Sequence, residues 1–141
     1  MDGRIQNAND NFLKTLDYSV EEIRGKHHSM FVDTIYANSQ EYRQFWADLK
    51  SGQYQAGQFR RMGKGGREVW IQASYNPIYD LNGKPFKVVK FATDITAAKQ
   101  MEFEIADRQK RDARAAEELS AKVAQILQVV NAVADGNFDL T

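Results

Sequence analysis

The spacing of hydrophobic residues changes once along the chain, within the stretch Phe91–Thr96. Before it, apolar residues alternate with polar ones or form short clusters, as in strands and short helices. After it, they recur every three or four residues as far as Val133, as in a long helix. The pattern predicts a compact domain over residues 1–96 and a helical extension over residues 97–141.

Capping signals and one apolar stripe predict the helices that precede the sheet. A first short helix follows the cap-rich stretch Asn7–Asn11, and Ser19 with Glu22 has the spacing of a capping box for a second. Ser39 and Gly52 bound a longer helix. Its residues Tyr42, Phe45, Trp46 and Leu49 stand at i, i+3, i+4 and i+7, which makes one apolar face.

Alternating residues and two turn signals predict an antiparallel meander of three strands. The strands are expected at Phe59–Met62, Glu68–Tyr75 and Phe86–Phe91. Lys64–Arg67 and the Asn82-Gly83 pair supply the turns. Pro77 lacks a backbone N–H, so pairing is expected to fade around it. Because the helices come first in the chain, we expect them on one face of the sheet, which makes the fold α+β.

A further short strand is expected at Arg4–Gln6, after the Asp2-Gly3 turn. A strand that follows a turn needs a partner before it, and here Met1 comes at once. We therefore expect another strand upstream of this sequence.

The helical extension has the a/d spacing of a coiled coil, with steps of four and three between Ile105 and Val133. Gln109 and Asp112 make the first half of this seam polar, so we expect it to be loose. The second half is expected to hold the helices together through Leu119, Val123, Ile126, Val130 and Val133. A lone helix would leave these residues in water, so we predict a homodimer or a four-helix assembly.

Composition narrows the classes of function. The chain has 19 basic and 19 acidic residues, which gives no electrostatic reason to expect nucleic acid or membrane binding. It has no cysteine, which excludes disulfides and thiol catalysis. No apolar run approaches the roughly 20 residues that span a bilayer, so we expect a cytoplasmic location.

Catalysis is not expected. The sequence has no Ser/His/Asp set, no phosphate-binding glycine loop and no metal-ligand spacing. We therefore predict no enzyme activity and no metal site.

Five short motifs, taken in order, resemble those of a PAS sensory domain, especially in bacterial methyl-accepting chemotaxis proteins and aerotaxis transducers. They are Asn9–Leu13, Gly25–Met30, Lys64–Gly66 before Trp70, Asn82–Lys84 and Asp94–Thr96. The resemblance covers Asp2 to Thr96. It implies a five-stranded sheet, with its first strand before Asp2, and a pocket between sheet and helices. It also implies that Asp94, Ile95 and Thr96 form the junction with a signalling helix.

The chain after Leu119 is similar to the first helix of a HAMP module. Ile126, Val130, Val133 and the stretch Asp135–Leu140 carry this resemblance. A plain coiled-coil linker is the alternative.

The PAS resemblance and strand alternation together select pocket residues. Alternation places Arg61 on one face of the sheet with Ile71, Ala73 and Tyr75, where its guanidinium can bind a carboxylate or phosphate. The alternative is that a twist puts Arg61 in water at the pocket rim, alone or paired with Glu68.

His27 and His28 are the only histidines, and on a helix they point about 100° apart, so only one can face a pocket. The alternative to a cofactor-binding histidine is that one histidine lies on the surface at a helix end and the other packs in the interior with a hydrogen bond. Haem-binding PAS domains place their axial histidine within the segment that is here Val32–Glu41, which has none.

Asn9 and His28 match the aerotaxis-type pattern and leave FAD as the favoured cofactor, with haem or no cofactor as alternatives. Two departures weigh against flavin. The stretch Tyr54–Gly57 lacks the tryptophan frequent in flavin-binding relatives, and Arg61 stands where they have an asparagine.

The expected function is a cytoplasmic module that senses a small ligand, a cofactor or a redox state. It would transmit to the dimeric signalling helix of a chemoreceptor, whose partners are chemotaxis signalling proteins. The alternative is a PAS domain used only for dimerisation or docking.

Overall fold

The computed structural model describes residues 1–136. Its contacts define one compact unit, Met1–Ala97, and a second that begins at Ala98. The helices are α1 (Asp10–Leu16), α2 (Val20–Ile23), α3 (Thr34–Ala37), α4 (Gln40–Lys50) and α5 (Thr96–Ala134), with a 3-10 turn at His28–Phe31. The strands are β1 (Gln55–Met62), β2 (Glu68–Tyr79) and β3 (Pro85–Asp94).

The helix starts that the sequence predicted are confirmed. The Asn9 side chain accepts a hydrogen bond from the backbone of Phe12 and caps α1. Ser19 and Glu22 form the reciprocal capping box of α2. Ser39 caps α4. Each signal spans only three residues, so the local sequence is sufficient to start the helix.

The predicted antiparallel meander is also confirmed, with strand order β1-β2-β3. Pairing does not fade at Pro77, which stays in register with Val88 of β3, and the register shifts only between Ile78 and Tyr79. The physical reason is that the pairing between β1 and β2 reaches only as far as Tyr75, so no β1 residue lies beside Pro77. Backbone N–H groups along β2 point alternately toward β3 and toward β1. The N–H of Trp70 points to the β3 side, where it donates to Thr96, so position 77 points to the β1 side. The N–H that Pro77 lacks would therefore have had no strand to bond to.

Arg4–Gln6 does not form a strand of the sheet, and the described residues form three strands rather than five. Arg4 makes a single bridge with His27. The backbone groups of Ile5 are already used, because its N–H donates to Lys26 and its carbonyl accepts from Gly25. Gly3 allows this approach, since a Cβ at its φ of +77° would lie 2.5 Å from Nε2 of His27.

The core lies between α4 and one face of β2. The predicted stripe on α4 buries Tyr42, Phe45 and Leu49. Phe45 meets Tyr75 of β2 edge to face, with ring centroids 4.9 Å apart. Such aromatic pairs contribute about 0.5–1.5 kcal/mol beyond the area they bury. The helices and the sheet therefore share one aromatic interior.

The second unit consists of α5 from Ala98 onward. The predicted seam residues are all exposed in the single chain: Leu119, Val123, Ile126, Val130 and Val133. The residues after Gly136 that carry the HAMP resemblance lie outside the described residues. No helix within residues 1–136 is long and apolar enough to cross a membrane.

Candidate functional site

A chain of buried hydrogen bonds crosses the core of the compact unit. Nδ1 of His28 lies 2.9 Å from the hydroxyl of Tyr42, and Nε2 lies 3.2 Å from the hydroxyl of Tyr75. The guanidinium of Arg61 donates to the same Tyr75 hydroxyl at 3.1 Å. The network therefore links the 3-10 turn, α4, β1 and β2.

The direction of these hydrogen bonds follows from Arg61, which can only donate. Tyr75 accepts from Arg61, so its own proton is available to Nε2 of His28. His28 is then neutral, carries its proton on Nδ1, and donates to Tyr42. This tautomer satisfies both ring nitrogens.

Burial determines the protonation states in this network. It lowers the pKa of His28 well below the ordinary value, and the positive charges of Lys90 and Arg61 lower it further. Burial also raises the pKa of Tyr75, and raises that of Tyr42 to about 12. His28 and both tyrosines are therefore neutral near pH 7.

Arg61 lies in the core, on the face that alternation predicted. It is 2 % exposed, and its guanidinium carbon lies 4.8 Å from the centroid of Phe59. The alternative of a solvent-exposed Arg61 paired with Glu68 is wrong, because Glu68 pairs with the neighbouring Arg60 at 3.0 Å. Because side chains alternate along β1, Arg60 points to the surface and Arg61 points to the interior.

Lys90 of β3, which the sequence did not single out, is half-buried as a residue but has its charged end in the interior. Its Nζ is buried without a hydrogen-bond partner and lies 4.6 Å from the ring centroid of Phe12 and 4.9 Å from that of Tyr75. The Nε of Arg61 is likewise buried without a partner. Among the described residues no acidic side chain is buried, and the ion pairs they form do not include Lys90 or Arg61.

A cavity of about 1190 Å³ lies beside this network. That volume exceeds the roughly 300–1,000 Å³ of ordinary small-molecule sites. Five of the predicted pocket residues line it, namely Asn9, His28, Ile71, Ala73 and Tyr75, and so does Lys90. Arg61 is not part of the wall and reaches it only through Tyr75.

The residues around the cavity suit one of the expected cofactors better than the other. A haem ligated by histidine does not fit, because both ring nitrogens of His28 meet tyrosine hydroxyls. The other histidine, His27, accepts from Ser29 through Nδ1, and its Nε2 lies against Gly3. A flavin fits better, since an apolar wall and an ammonium suit a flat ring rich in acceptors. The part of the chain that the structure describes has no cluster of metal-ligating side chains.

The three junction residues are tied to β2 by hydrogen bonds. The Ile95 N–H donates to the carbonyl of Trp70 at 2.9 Å, and the Trp70 N–H donates to the Thr96 hydroxyl at 3.0 Å. The Asp94 carboxylate accepts from both the N–H and the hydroxyl of Thr96, at 2.9 and 2.5 Å. The first residue of α5 is therefore held by two strands.

Comparison with known proteins shows the family. A family model described as PAS fold matches residues 5–92, more than half of the chain. The biofilm dispersion protein BdlA of Pseudomonas aeruginosa is 45% identical over 96 residues. That stretch is 68% of this chain but only 23% of BdlA, so the chain spans less than a quarter of that relative.

Three solved structures share the fold at identities too low to show more than the fold. A PAS domain from Colwellia psychrerythraea has a TM-score of 0.60 at 22% identity, covering 69% of this chain and 81% of its own. A light-oxygen-voltage domain studied with a flavin analogue has 0.59 at 15%, with coverages of 77% and 80%. An RNA-binding light-oxygen-voltage receptor has 0.61 at 16%, with coverages of 78% and 31%. The resemblance seen in the sequence is confirmed, and the chain belongs to the PAS fold family.

Proposed function

We propose that this chain is the cytoplasmic sensory module of a chemoreceptor-like signalling protein of the methyl-accepting or aerotaxis type. The domain binds a small molecule in its cavity, and α5 transmits the bound state as a homodimer. The observation that carries the proposal is the cavity itself, with a buried polar network in its wall. The name of the relative BdlA, a biofilm dispersion protein, fits regulation of behaviour rather than catalysis.

The route of transmission follows the strands. Tyr75 and Trp70 lie on the same strand, so the residue that contacts the cavity and the residue that holds the start of α5 share one backbone. Lys90 and Asp94 share β3 in the same way. A ligand that shifts either strand shifts the hydrogen bonds around Ile95 and Thr96.

The apolar seam of α5 supports the proposed homodimer. A helix of 39 residues is about 58 Å long, and a fully exposed helix gains no tertiary packing to stabilise it. Leu119, Val123 and Ile126 are each roughly half exposed or more, at 64%, 46% and 61%. A second copy that covers this seam stabilises both helices.

FAD is the cofactor that we propose where the bound molecule is a redox group. The support is the fold shared with a light-oxygen-voltage domain studied with a flavin analogue, and an apolar wall that includes Phe12 and Ile71. A bound flavin would supply redox chemistry and visible absorption. The chain has no cysteine, so it cannot form a flavin–thiol adduct.

The test of the sensory function is retention of a ligand by the full chain. The protein, purified under native conditions, is expected to release a small molecule that mass spectrometry identifies, and its removal should lower the melting temperature. A visible absorption band would identify flavin. The result that would refute sensing is an empty, colourless protein whose melting temperature rises with no flavin, small acid or neutral metabolite. Docking or dimerisation alone would then be the function, with no catalysis in either case.

A further inference from the structure

The compact unit buries two cationic side chains without a buried acid to balance them. Lys90 has no hydrogen-bond partner for its Nζ, and Arg61 has none for its Nε. Isolated buried charges are costly, and proteins normally pair them or satisfy them with hydrogen bonds. The missing partner of Lys90 is therefore to be sought in what enters the cavity that this residue lines.

We propose that the cavity binds a small organic carboxylate, whose anionic group pairs with Lys90 and whose apolar body lies against the adjoining wall. This inference rests on the proposed sensory function and names its ligand class. The wall beside Lys90 includes the apolar side chains of Phe12, Phe31, Ile71 and Val88. An apolar acid satisfies both the ammonium and this surface.

A carboxylate suits the site better than a phosphate. Lys90 is the lining residue whose ammonium is buried without a hydrogen-bond partner. Arg4 and Lys87 also line the cavity but are exposed to water, and Arg61 lies behind Tyr75 and acts on the cavity through that hydroxyl. One ammonium balances a monoanion, whereas a phosphate dianion would keep a charge unpaired in an apolar surrounding. Arg61 still favours the anion, because its positive charge adds to that of Lys90.

The ligand must displace one aromatic ring. The Nζ of Lys90 lies between the rings of Phe12 and Tyr75 and is shielded from solvent. Tyr75 is held by His28 and Arg61 through its hydroxyl, whereas Phe12 belongs to the seven-residue helix α1. Phe12 is therefore the ring that moves, and its movement gives the domain a second packing state.

The ligand class predicts proton uptake on binding. Burial lowers the pKa of Lys90, and Arg61 of β1 lowers it further, while the His28 and Tyr75 rings that face the site are neutral. A bound carboxylate raises the pKa of Lys90 again, so binding takes up protons wherever the pH lies between the lowered and the raised pKa. Calorimetry in two buffers of different ionisation enthalpy measures this uptake.

The decisive test compares acids with their neutral amides on the full chain. Phenylacetate, 3-methylbutanoate and indole-3-acetate are titrated beside the corresponding amides by calorimetry. We expect at least one acid to bind tenfold or more tightly than its amide. Lys90→Met should abolish that preference, and Lys84→Met should keep it, because Lys84 is an exposed lysine in the turn before β3 and does not line the cavity.

Three results would overturn the proposal: equal binding of acid and amide, a preference that survives Lys90→Met, or failure of every acid to bind. Its failure is distinct from failure of sensing. If mass spectrometry finds a neutral molecule or a flavin in the purified protein, the sensory function stands and the carboxylate class falls.

Discussion

Lys90→Met is expected to stabilise the ligand-free domain. Methionine is one atom shorter than lysine but is also unbranched and flexible, so it can still contact Phe12 and Tyr75, and it removes an ammonium that has no hydrogen-bond partner. In most proteins a substitution at a half-buried position destabilises. A gain in stability here would therefore identify Lys90 as a residue kept for binding.

Two opposing effects decide the magnitude. An uncompensated buried charge costs about 3–5 kcal/mol. Cation–π contacts with the two rings return about 1–2 kcal/mol each. At the middle of these ranges the difference is a gain of about 1 kcal/mol in the free energy of unfolding, equivalent to roughly 4–8 °C in melting temperature for a domain of this size.

The gain should depend on pH with a defined sign. Burial lowers the folded-state pKa of Lys90 well below its ordinary value of 10.5. Between these two pKa values the unfolded chain binds a proton that the folded chain lacks, so unfolding becomes harder as pH rises. The slope is at most about 1.4 kcal/mol per pH unit. Lys90→Met removes this slope, so its advantage shrinks as pH approaches 10.5.

Urea denaturation followed by tryptophan fluorescence measures the effect, because both tryptophans lie in the compact unit. The wild-type protein must first be unfolded and dialysed to remove bound acids. Lys84→Met in the exposed turn before β3 is the matched control and should change stability by less than about 0.5 kcal/mol. A Lys90→Met variant that is less stable than wild type between pH 7 and 9 would refute the reasoning.

Three further predictions test the network, the seam and the junction. Tyr75→Phe leaves His28 and Arg61 without a buried hydrogen-bond partner and should lower the free energy of unfolding in urea by about 2–4 kcal/mol. The control Tyr79→Phe removes one exposed hydrogen bond and should cost less than about 1 kcal/mol. Equal losses would contradict the buried network. Val123→Glu with Val130→Glu should give a monomer by light scattering with an unchanged fluorescence melt, and a persistent dimer would move the interface to the sheet. Asp94→Ala should leave acid binding intact but abolish the response of α5 to the ligand. The response is measured as a ligand-dependent change in disulfide crosslinking between two copies of the chain that carry Val130→Cys. An unchanged response would mean that the junction is only a domain boundary.

The features that the sequence predicted correctly are those specified by neighbouring residues. The capping box of Ser19 and Glu22 closes within three residues, and the turn at Asn82-Gly83 needs only the φ of +75° that glycine supplies. The stripe on α4 likewise follows from helical spacing alone. Such signals do not depend on the remainder of the fold.

The position of Lys90 depends on strand register, which the local sequence does not specify. Val89 and Phe91 are apolar neighbours, so alternation equally allows Lys90 to point outward. The register pairs Lys90 with Tyr75 and directs Phe91, which is 66% exposed, to the other face. A slip of one residue would reverse both.

Arg61 shows the same limit for a charged residue. Strand alternation correctly predicted the face of the sheet on which Arg61 lies. Its burial without a carboxylate partner could not be predicted in this way, because arginine side chains usually lie in water. Only the structure reveals that Tyr75 and the carbonyl of Arg60 accept its N–H groups. Local preference therefore fails at the residues next to the cavity, where function is expected to override it.

The distance between Lys90 and the junction gives a physical reason for signalling through β3. Asp94 follows Lys90 by four residues on the same strand, a separation of about 13 Å. A strand paired along its length is stiff, so a ligand that repositions Lys90 moves the Asp94 carboxylate that holds Thr96. Binding and transmission then depend on different residues of one strand. Lys90→Met should lose both acid binding and response, and Asp94→Ala only the response, which separates the sensor from a domain that merely docks.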